Sequence, residues 1–275
     1  MIKQRLIRLF PFLAALRKAQ RKLFFYLKMH MDGSHYAQSK LAEALPFCVY
    51  DADTKLINLN TGFDLKYQQN KVFNLRLAAE SMNGIIIRPW ETFSFWQLVK
   101  KVKRSLFKHG LSVEYGKLVP VKGGGLCHLS NFLFWMFLHT PLTIAERHPH
   151  RVKDFPSPDE DDLDGVDATV SEGWLDLKLD NNTDMTFQIA LTFSEDQLHG
   201  RILTNRPMLY RFEVANRDKT FFKKGEKLFE QVCVYRQRYD ALSGLFCSEE
   251  RLYTDVFEVG YAMTEADNLQ EARVV

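Results

Sequence analysis

The spacing of apolar residues is helical in the first half of the chain and alternating in the second. Residues 2–29 have a helical composition that Pro11 divides into two pieces, and the apolar side chains of residues 70–82 suit a partly buried helix. The Asn-Gly pair at 83–84 is a common helix stop. Residues 129–138 are apolar at nearly every position, which predicts a helix buried in the core.

Shorter elements are predicted between these helices. We expect a short helix at 37–45, a helix with an exposed basic face at 97–110, and a hairpin or loop at 51–60. Short strands are predicted at residues 47–50, 85–87, 111–118 and 142–148.

The second half of the chain alternates apolar and polar residues, as half-buried strands do. Antiparallel strands are predicted at 175–179, 187–193, 198–203, 210–214, 228–239 and 252–259. The whole pattern predicts an α+β fold, in which a buried helix after a Gly-rich turn packs on an antiparallel sheet. Residues 1–44 are expected to form a basic helical N-terminal arm and residues 45–275 one domain, because no repeat or clean linker divides the latter.

Composition indicates a globular protein whose charge is unevenly distributed. The chain of 275 residues is 46% hydrophobic and 26% charged, and 22 Phe are available to fill a core. Eight of the 37 Lys and Arg lie in the first 31 residues, where there is no acidic residue. The other 29 face 34 acidic residues, so the main body is not expected to bind nucleic acid.

The N-terminal arm is expected either to pack on the domain or to lie on an anionic membrane surface, and both alternatives stay open. No apolar run reaches the roughly 18 residues of a membrane span, and we recognise no signal peptide. The four cysteines contain no CxxC pair, which favours a reducing compartment. A cytoplasmic location is therefore expected, either free in the cytoplasm or at the inner face of the membrane.

The candidate chemistry begins at a triple glycine, Gly123-Gly124-Gly125, that leads into Cys127 at the start of the apolar helix. A helix N-terminus stabilises a thiolate, and its amide groups can bind an oxyanion. Glycines let a substrate backbone approach closely. The alternative is a tight turn with a buried, inert cysteine.

Partners for this cysteine lie downstream. His148 and His150 share a face if they continue a strand, and we choose His150 first as the general base, with His148 second. Asp167 is expected to orient that base, and Arg147 to bind a substrate carboxylate. The structural alternatives are a hydrogen-bonded histidine, a turn-capping aspartate and a surface ion pair.

A metal site is the rival use of these residues, because Cys127, His128, His148 and His150 are ligand types. Structural zinc ligands usually come in close pairs, so we predict neither a metal nor another cofactor. A calcium loop after Glu160 is disfavoured for lack of an acidic twelfth position. The remaining cysteines, Cys48, Cys233 and Cys247, are expected to be core residues.

Several motifs together resemble the VanW family. They are Glu91-Thr92-Phe93-Ser94-Phe95, Gly123-Gly124-Gly125-Leu126-Cys127, Glu146-Arg147-His148-Pro149-His150 and Gly165-Val166-Asp167-Ala168-Thr169-Val170. The resemblance implies an association with glycopeptide resistance and an L,D-transpeptidase-like activity, with Cys127 taking an acyl group from a peptidoglycan precursor or stem peptide. Gly123, Gly124, Gly125, Arg147 and Ser94 are then the expected substrate-binding residues.

Two positions depart from the pattern of that family. His128 stands where the family usually has Gln, which adds a third candidate base beside Cys127. Trp90 stands where the family has Gly, so we expect local backbone differences near Thr92 and Ser94. The alternative function, from another class, is a non-catalytic accessory protein that binds a peptide or a partner protein through the same cleft.

Overall fold

The structure is a computed structural model that describes residues 11–58, 62–114, 117–153 and 165–260. Helices and strands both contribute substantially, so the predicted α+β class is confirmed. The helices are α1 (Pro11–Met31), α2 (Leu65–Met82), α3 (Phe95–Val99) and α4 (Leu126–Leu138), with a 3-10 turn at Arg104–Leu106.

The strands form three four-stranded sheets and one hairpin. The first sheet has the order β1-β4-β9-β7, the second β2-β11-β10-β3 and the third β12-β13-β14-β8, while β5 pairs with β6. Their bounds are β1 His35–Tyr36, β2 Phe47–Lys55, β3 Ile86–Ile87, β4 Glu91–Ser94, β5 His109–Glu114, β6 Lys117–Lys122, β7 Thr143–Glu146, β8 Val152–Lys153, β9 Lys178–Asp180, β10 Phe187–Phe193, β11 Gln197–Thr204, β12 Tyr210–Lys224, β13 Lys227–Asp240 and β14 Phe246–Val259.

Helix α4 is the centre of the core, as its apolar sequence predicts. It packs against α2 and against strands β2 and β11, and most of its side chains are inaccessible to solvent. Phe134 and Phe137 are among the largest fully buried side chains in the described residues. The position of α4 fixes the position of Cys127, its second residue.

Two predicted helices are wrong. Residues 37–45 run alongside the first two sheets instead, where Ala37 donates to the Thr92 carbonyl and Leu41 to the Gly84 carbonyl. Residues 97–110 form only the end of α3 and the 3-10 turn, followed by the start of β5. Tertiary hydrogen bonds outcompeted local helix propensity in the first case.

Two strand boundaries also differ from the predictions. The predicted turn at 51–60 is strand as far as Lys55, because β2 pairs along its length with β11. The single predicted strand at 111–118 is the hairpin β5–β6. Residues 2–10, 59–61 and 154–164 lie outside the described residues. They include part of the predicted N-terminal arm and the start of the disfavoured calcium loop after Glu160.

Trp90 adopts the backbone conformation that a glycine would prefer. Its φ of 65° is left-handed, and its amide donates to the Asn181 carbonyl at 2.8 Å. A left-handed backbone conformation costs an L-residue roughly 1–2 kcal/mol in conformational energy. A glycine at position 90 would adopt this turn without that cost.

The turn before α4 is held by one buried side chain, Asn74 of α2. Its Nδ2 donates to the carbonyls of Lys108 and Gly124, each at 3.0 Å, and its Oδ1 accepts from the Lys108 amide at 2.8 Å. The Asn74 side chain is fully buried, and Gly124, whose carbonyl it binds, is buried as well, so removing Asn74 would leave that carbonyl without its donor.

Replacing Asn74 should therefore loosen the start of α4. We expect Asn74→Ala to lower the free energy of unfolding by about 2 kcal/mol or more, because the buried Gly124 carbonyl loses its donor and the Lys108 amide loses its acceptor. The matched control is Asn70→Ala on the same helix, which removes one exposed bond to the His109 carbonyl and should cost less than about 1 kcal/mol. Urea unfolding of both variants checks this, and equal losses would contradict it.

Candidate active site

Cys127 lies in the first turn of α4, directly after the glycine turn. Gly125 is the N-cap, with a φ of 94°, and makes no side-chain capping bond. The cysteine is half-buried, and its sulfur lies 3.7 Å from the Val170 carbonyl oxygen. First-turn amides have no partner within their own helix, so the thiol group lies where a helix is most electropositive.

Contacts and backbone conformation inside the protein account for the three glycines. A Cβ on Gly124 would lie 2.2 Å from the Gly110 carbonyl oxygen, and one on Gly125 would lie 2.3 Å from Cγ of Lys71. At Gly123 a Cβ would have room, but the φ of 80° is left-handed and favours glycine. The glycines are therefore explained without a substrate, and their role in substrate binding stays a prediction.

His150 faces Cys127 from an irregular segment after β7. Its Nδ1 makes a short hydrogen bond to Asp167 Oδ2, which leaves Nε2 for Cys127. Burial alone would lower the pKa of His150, but hydrogen bonds to Asp167 and Cys127 and their negative charges raise it to about 10. The imidazole is therefore protonated at neutral pH.

Helix α4 and the irregular segment hold Asp167 between them. Ser130 donates to the Ala168 carbonyl at 2.6 Å, and Asn131 accepts from the Ala168 amide at 2.8 Å. On the other side, Asp167 Oδ2 accepts from the His150 amide at 2.7 Å. Burial opposes ionisation of Asp167, but the bonds to His150 and the charge of Arg147 lower its pKa. The carboxylate is thus ionised and oriented.

Arg147 is a buried structural residue. Its side chain is 5% exposed, and Nη2 donates to Asp167 Oδ1 and to the Gly165 carbonyl, each at 2.7 Å. Nη1 donates to Asp255 Oδ2 at 2.5 Å, and Nε to the Asp167 carbonyl. Its donors are bound to acceptors inside the protein, which does not support the predicted binding of a substrate carboxylate.

His148 and Ser94 bind partners other than the cysteine. His148 Nε2 is 3.0 Å from Glu146 Oε1, so the two histidines point to different partners and do not share a strand face. Ser94 is fully buried, donates to Asp176 at 2.5 Å and caps α3 by accepting from the Gln97 amide. It is closed to a substrate in this conformation, which does not support its predicted role in substrate binding.

His128 and Lys71 form a second polar group beside the turn. His128 Nε2 lies 2.9 Å from Thr54 Oγ1, and burial, helped by the charge of Lys71, lowers the His128 pKa to about 4. Burial lowers the pKa of Lys71 to about 8, and no acidic partner is recorded for it among the described residues. His128 is therefore neutral and bonded to Thr54 rather than placed as a base.

Sequence reasoning missed Lys71, Ser130, Asn131 and Asp255 as neighbours of the candidate chemistry. Ser130 and Asn131 interrupt an otherwise apolar helix one turn after Cys127, and that interruption is the signal which could have identified them. Lys71 and Asp255 carry no comparable local signal, because only the packing of α2 and β14 brings them near.

No group of three or more His, Cys, Asp and Glu side chains in the described residues is arranged to hold a metal ion. The four cysteines, all within the described ranges, are unpaired. Cys233 is buried as predicted, whereas Cys48 and Cys247 are exposed, so their predicted core positions are wrong.

Comparison with known proteins places this arrangement in a family. A family model described as VanW like protein matches residues 70–203, which include Cys127, His150 and Asp167. The chain is 44% identical over 273 residues to the vancomycin B-type resistance protein VanW of Enterococcus faecalis, covering 99% of each chain. The chain belongs to the VanW family.

A second relative is more distant. The uncharacterized protein YoaR of Bacillus subtilis is 31% identical over 115 residues, which are 41% of this chain and 36% of YoaR. No solved structure matches the chain. Among the residues described here, no helix has the length and apolar character to cross a membrane.

The raised pKa of His150 predicts a pH-dependent stability. Because the folded value of about 10 exceeds the ordinary 6.5, protonation of His150 stabilises the fold fully below pH 6.5. That contribution is lost as the pH rises toward 10. Urea unfolding of wild type and His150→Gln should therefore differ most near pH 6 and least near pH 10. A difference that stays constant over this range would contradict the assignment.

Proposed function

We propose that the chain is a cysteine acyltransferase of the L,D-transpeptidase type that acts on peptidoglycan stem peptides and contributes to glycopeptide resistance. The observation that carries the proposal is the contact series Cys127–His150–Asp167 at the start of α4. A nucleophile, a histidine and an orienting carboxylate in this order are typical of acyl-transfer sites.

The proposed reaction forms and resolves a thioester. A Cys127 thiolate attacks a peptide carbonyl carbon, and the protonated His150 gives its proton to the departing amine as the C–N bond breaks. An acceptor amine then attacks the thioester, passes a proton to His150, and releases Cys127 as the new amide forms. Atoms and protons balance without a cofactor.

The surroundings of Cys127 suit the charges that such a reaction creates. The first-turn amides of Leu126 and Cys127 can stabilise the oxyanion of the tetrahedral intermediate. Lys71 packs on Gly125 and adds a positive charge beside the same turn. This environment favours a peptide substrate that carries a carboxylate, as a stem peptide does.

The substrate class is proposed from the relative as well as from the chemistry. The enterococcal relative is a vancomycin resistance protein, and an acyl transfer on cell-wall peptides is consistent with such a role. We place the reaction in the cytoplasm, at the inner membrane face, on precursor peptides. The unpaired cysteines support a reducing compartment.

Trapping of the acyl-enzyme tests the proposal. Incubation with a stem tetrapeptide should give the wild type a mass increase equal to the acyl tripeptide, mapped to Cys127 by peptide mass spectrometry. Cys127→Ala should give no adduct, whereas the matched control Cys247→Ala, which changes an exposed cysteine far along the chain, should acylate normally.

Two outcomes would overturn the acyltransferase proposal. One is the absence of an adduct on wild type although the peptide binds, which would identify a peptide-binding accessory protein. The other is an adduct that persists in Cys127→Ala. His150→Ala should slow adduct formation by about 100-fold, the usual contribution of an acid–base group.

A further inference from the structure

Helix α1 is fixed to the body along one face only. Met29 is buried and accepts a hydrogen bond from Gln97, while Tyr26 donates to Glu172 at 2.9 Å. Lys22 makes an ion pair with the same carboxylate at 2.7 Å. Of the two alternatives expected for the arm, contact with the domain is therefore present, and it leaves the opposite face of the helix uncovered.

That opposite face carries an apolar stripe, which the exposed Gln20 interrupts once. Its residues follow one another at helical spacing, so they line one side of α1. None of them belongs to the core cluster, and their exposed fractions run from 44% to 73%. The apolar stripe consists of Leu16, Leu23, Phe24, Leu27 and Met31.

Basic residues line the flank of this stripe. Arg17, Arg21 and Lys28 follow at intervals of four and seven residues, which places them on one side of the helix next to the stripe. The helix contains no acidic residue, and no ion pair is recorded for these three within the described chain. Arg21 instead lies over the ring of Trp174, 5.4 Å from its centre, and that tryptophan is 57% exposed.

We propose that this face of α1 binds the surface of an anionic lipid membrane, with the apolar stripe inserted among the acyl chains and the basic flank on the headgroups. Apolar side chains, flanking cations and a neighbouring exposed tryptophan are the combination that interfacial helices use. The proposal is independent of the acyltransferase chemistry.

Charge favours a membrane over a second copy of the chain. An antiparallel two-fold pairing of the stripes would bring the basic flanks of both helices together without any acidic residue of α1 to compensate them. An anionic bilayer instead supplies opposite charge to every basic residue of the flank.

The arrangement also orients the candidate active site. Glu172, which holds Tyr26 and Lys22, lies two residues after Val170, whose carbonyl contacts Cys127. A helix lying on the membrane would thus hold the cysteine at a fixed orientation to the lipid surface.

Vesicle sedimentation of the full chain tests the proposal. Wild type should bind vesicles of phosphatidylglycerol and phosphatidylcholine at least ~10-fold more tightly than pure phosphatidylcholine, and high salt should weaken the binding. The triple variant Leu16→Gln, Leu23→Gln, Leu27→Gln should lose at least ~10-fold. A matched control changes three other exposed leucines, Leu209, Leu242 and Leu245, to Gln and should bind as wild type does.

A charge variant completes the test. Arg17→Gln with Lys28→Gln should weaken binding to anionic vesicles by roughly 10-fold or more and leave binding to neutral vesicles unchanged. Equal binding by wild type and the stripe variant would overturn the proposal. So would an absence of vesicle binding combined with a dimer in light scattering that the stripe variant dissociates, because a second copy would then cover the face.

Discussion

The candidate site depends on a buried ion-pair network around Arg147. The guanidinium joins Asp167 to Asp255 and to the Gly165 carbonyl, so it ties the segment beside α4 to strand β14. It also lies 4.4 Å from the ring centre of Tyr253. Buried charges cost several kcal/mol in desolvation, and removing one partner of such a pair leaves the other uncompensated. Asp167 can orient His150 because Arg147 holds it.

The remaining architecture positions the two sides of this network. Asn74 fixes the glycine turn, the turn starts α4, and α4 binds the Ala168 segment through Ser130 and Asn131. The irregular segment after β7 then brings His150 to Oδ2 of Asp167, while Arg147 binds Oδ1. Three regions that are distant in sequence therefore meet through hydrogen bonds between side chains and the backbone, and Cys127 lies where they meet.

Part of this arrangement could be predicted from the sequence. The apolar run at 129–138 predicts a buried helix because it has no other stable location, and residue type and spacing indicate Cys127, His150 and Asp167 as candidates. The choice between His148 and His150 depends on the path of four irregular residues, which no periodicity encodes. The structural roles of Arg147 and Ser94 depend on Asp255 and Asp176, which are distant in sequence and come close only in the folded protein. The predicted helix at 37–45 is wrong for the same reason, because the amides of Ala37 and Leu41 donate to the distant carbonyls of Thr92 and Gly84.

The central claim is that the protonated His150 pairs with Cys127 and makes it a nucleophile. The most direct measurement is the rate of iodoacetamide alkylation at neutral pH, resolved by peptide mass spectrometry with the exposed Cys247 as internal reference. Although Cys127 is half-buried, it should be alkylated faster than Cys247, and His150→Ala should abolish that difference. Equal alkylation rates for Cys127 and Cys247 in the wild type would contradict the claim.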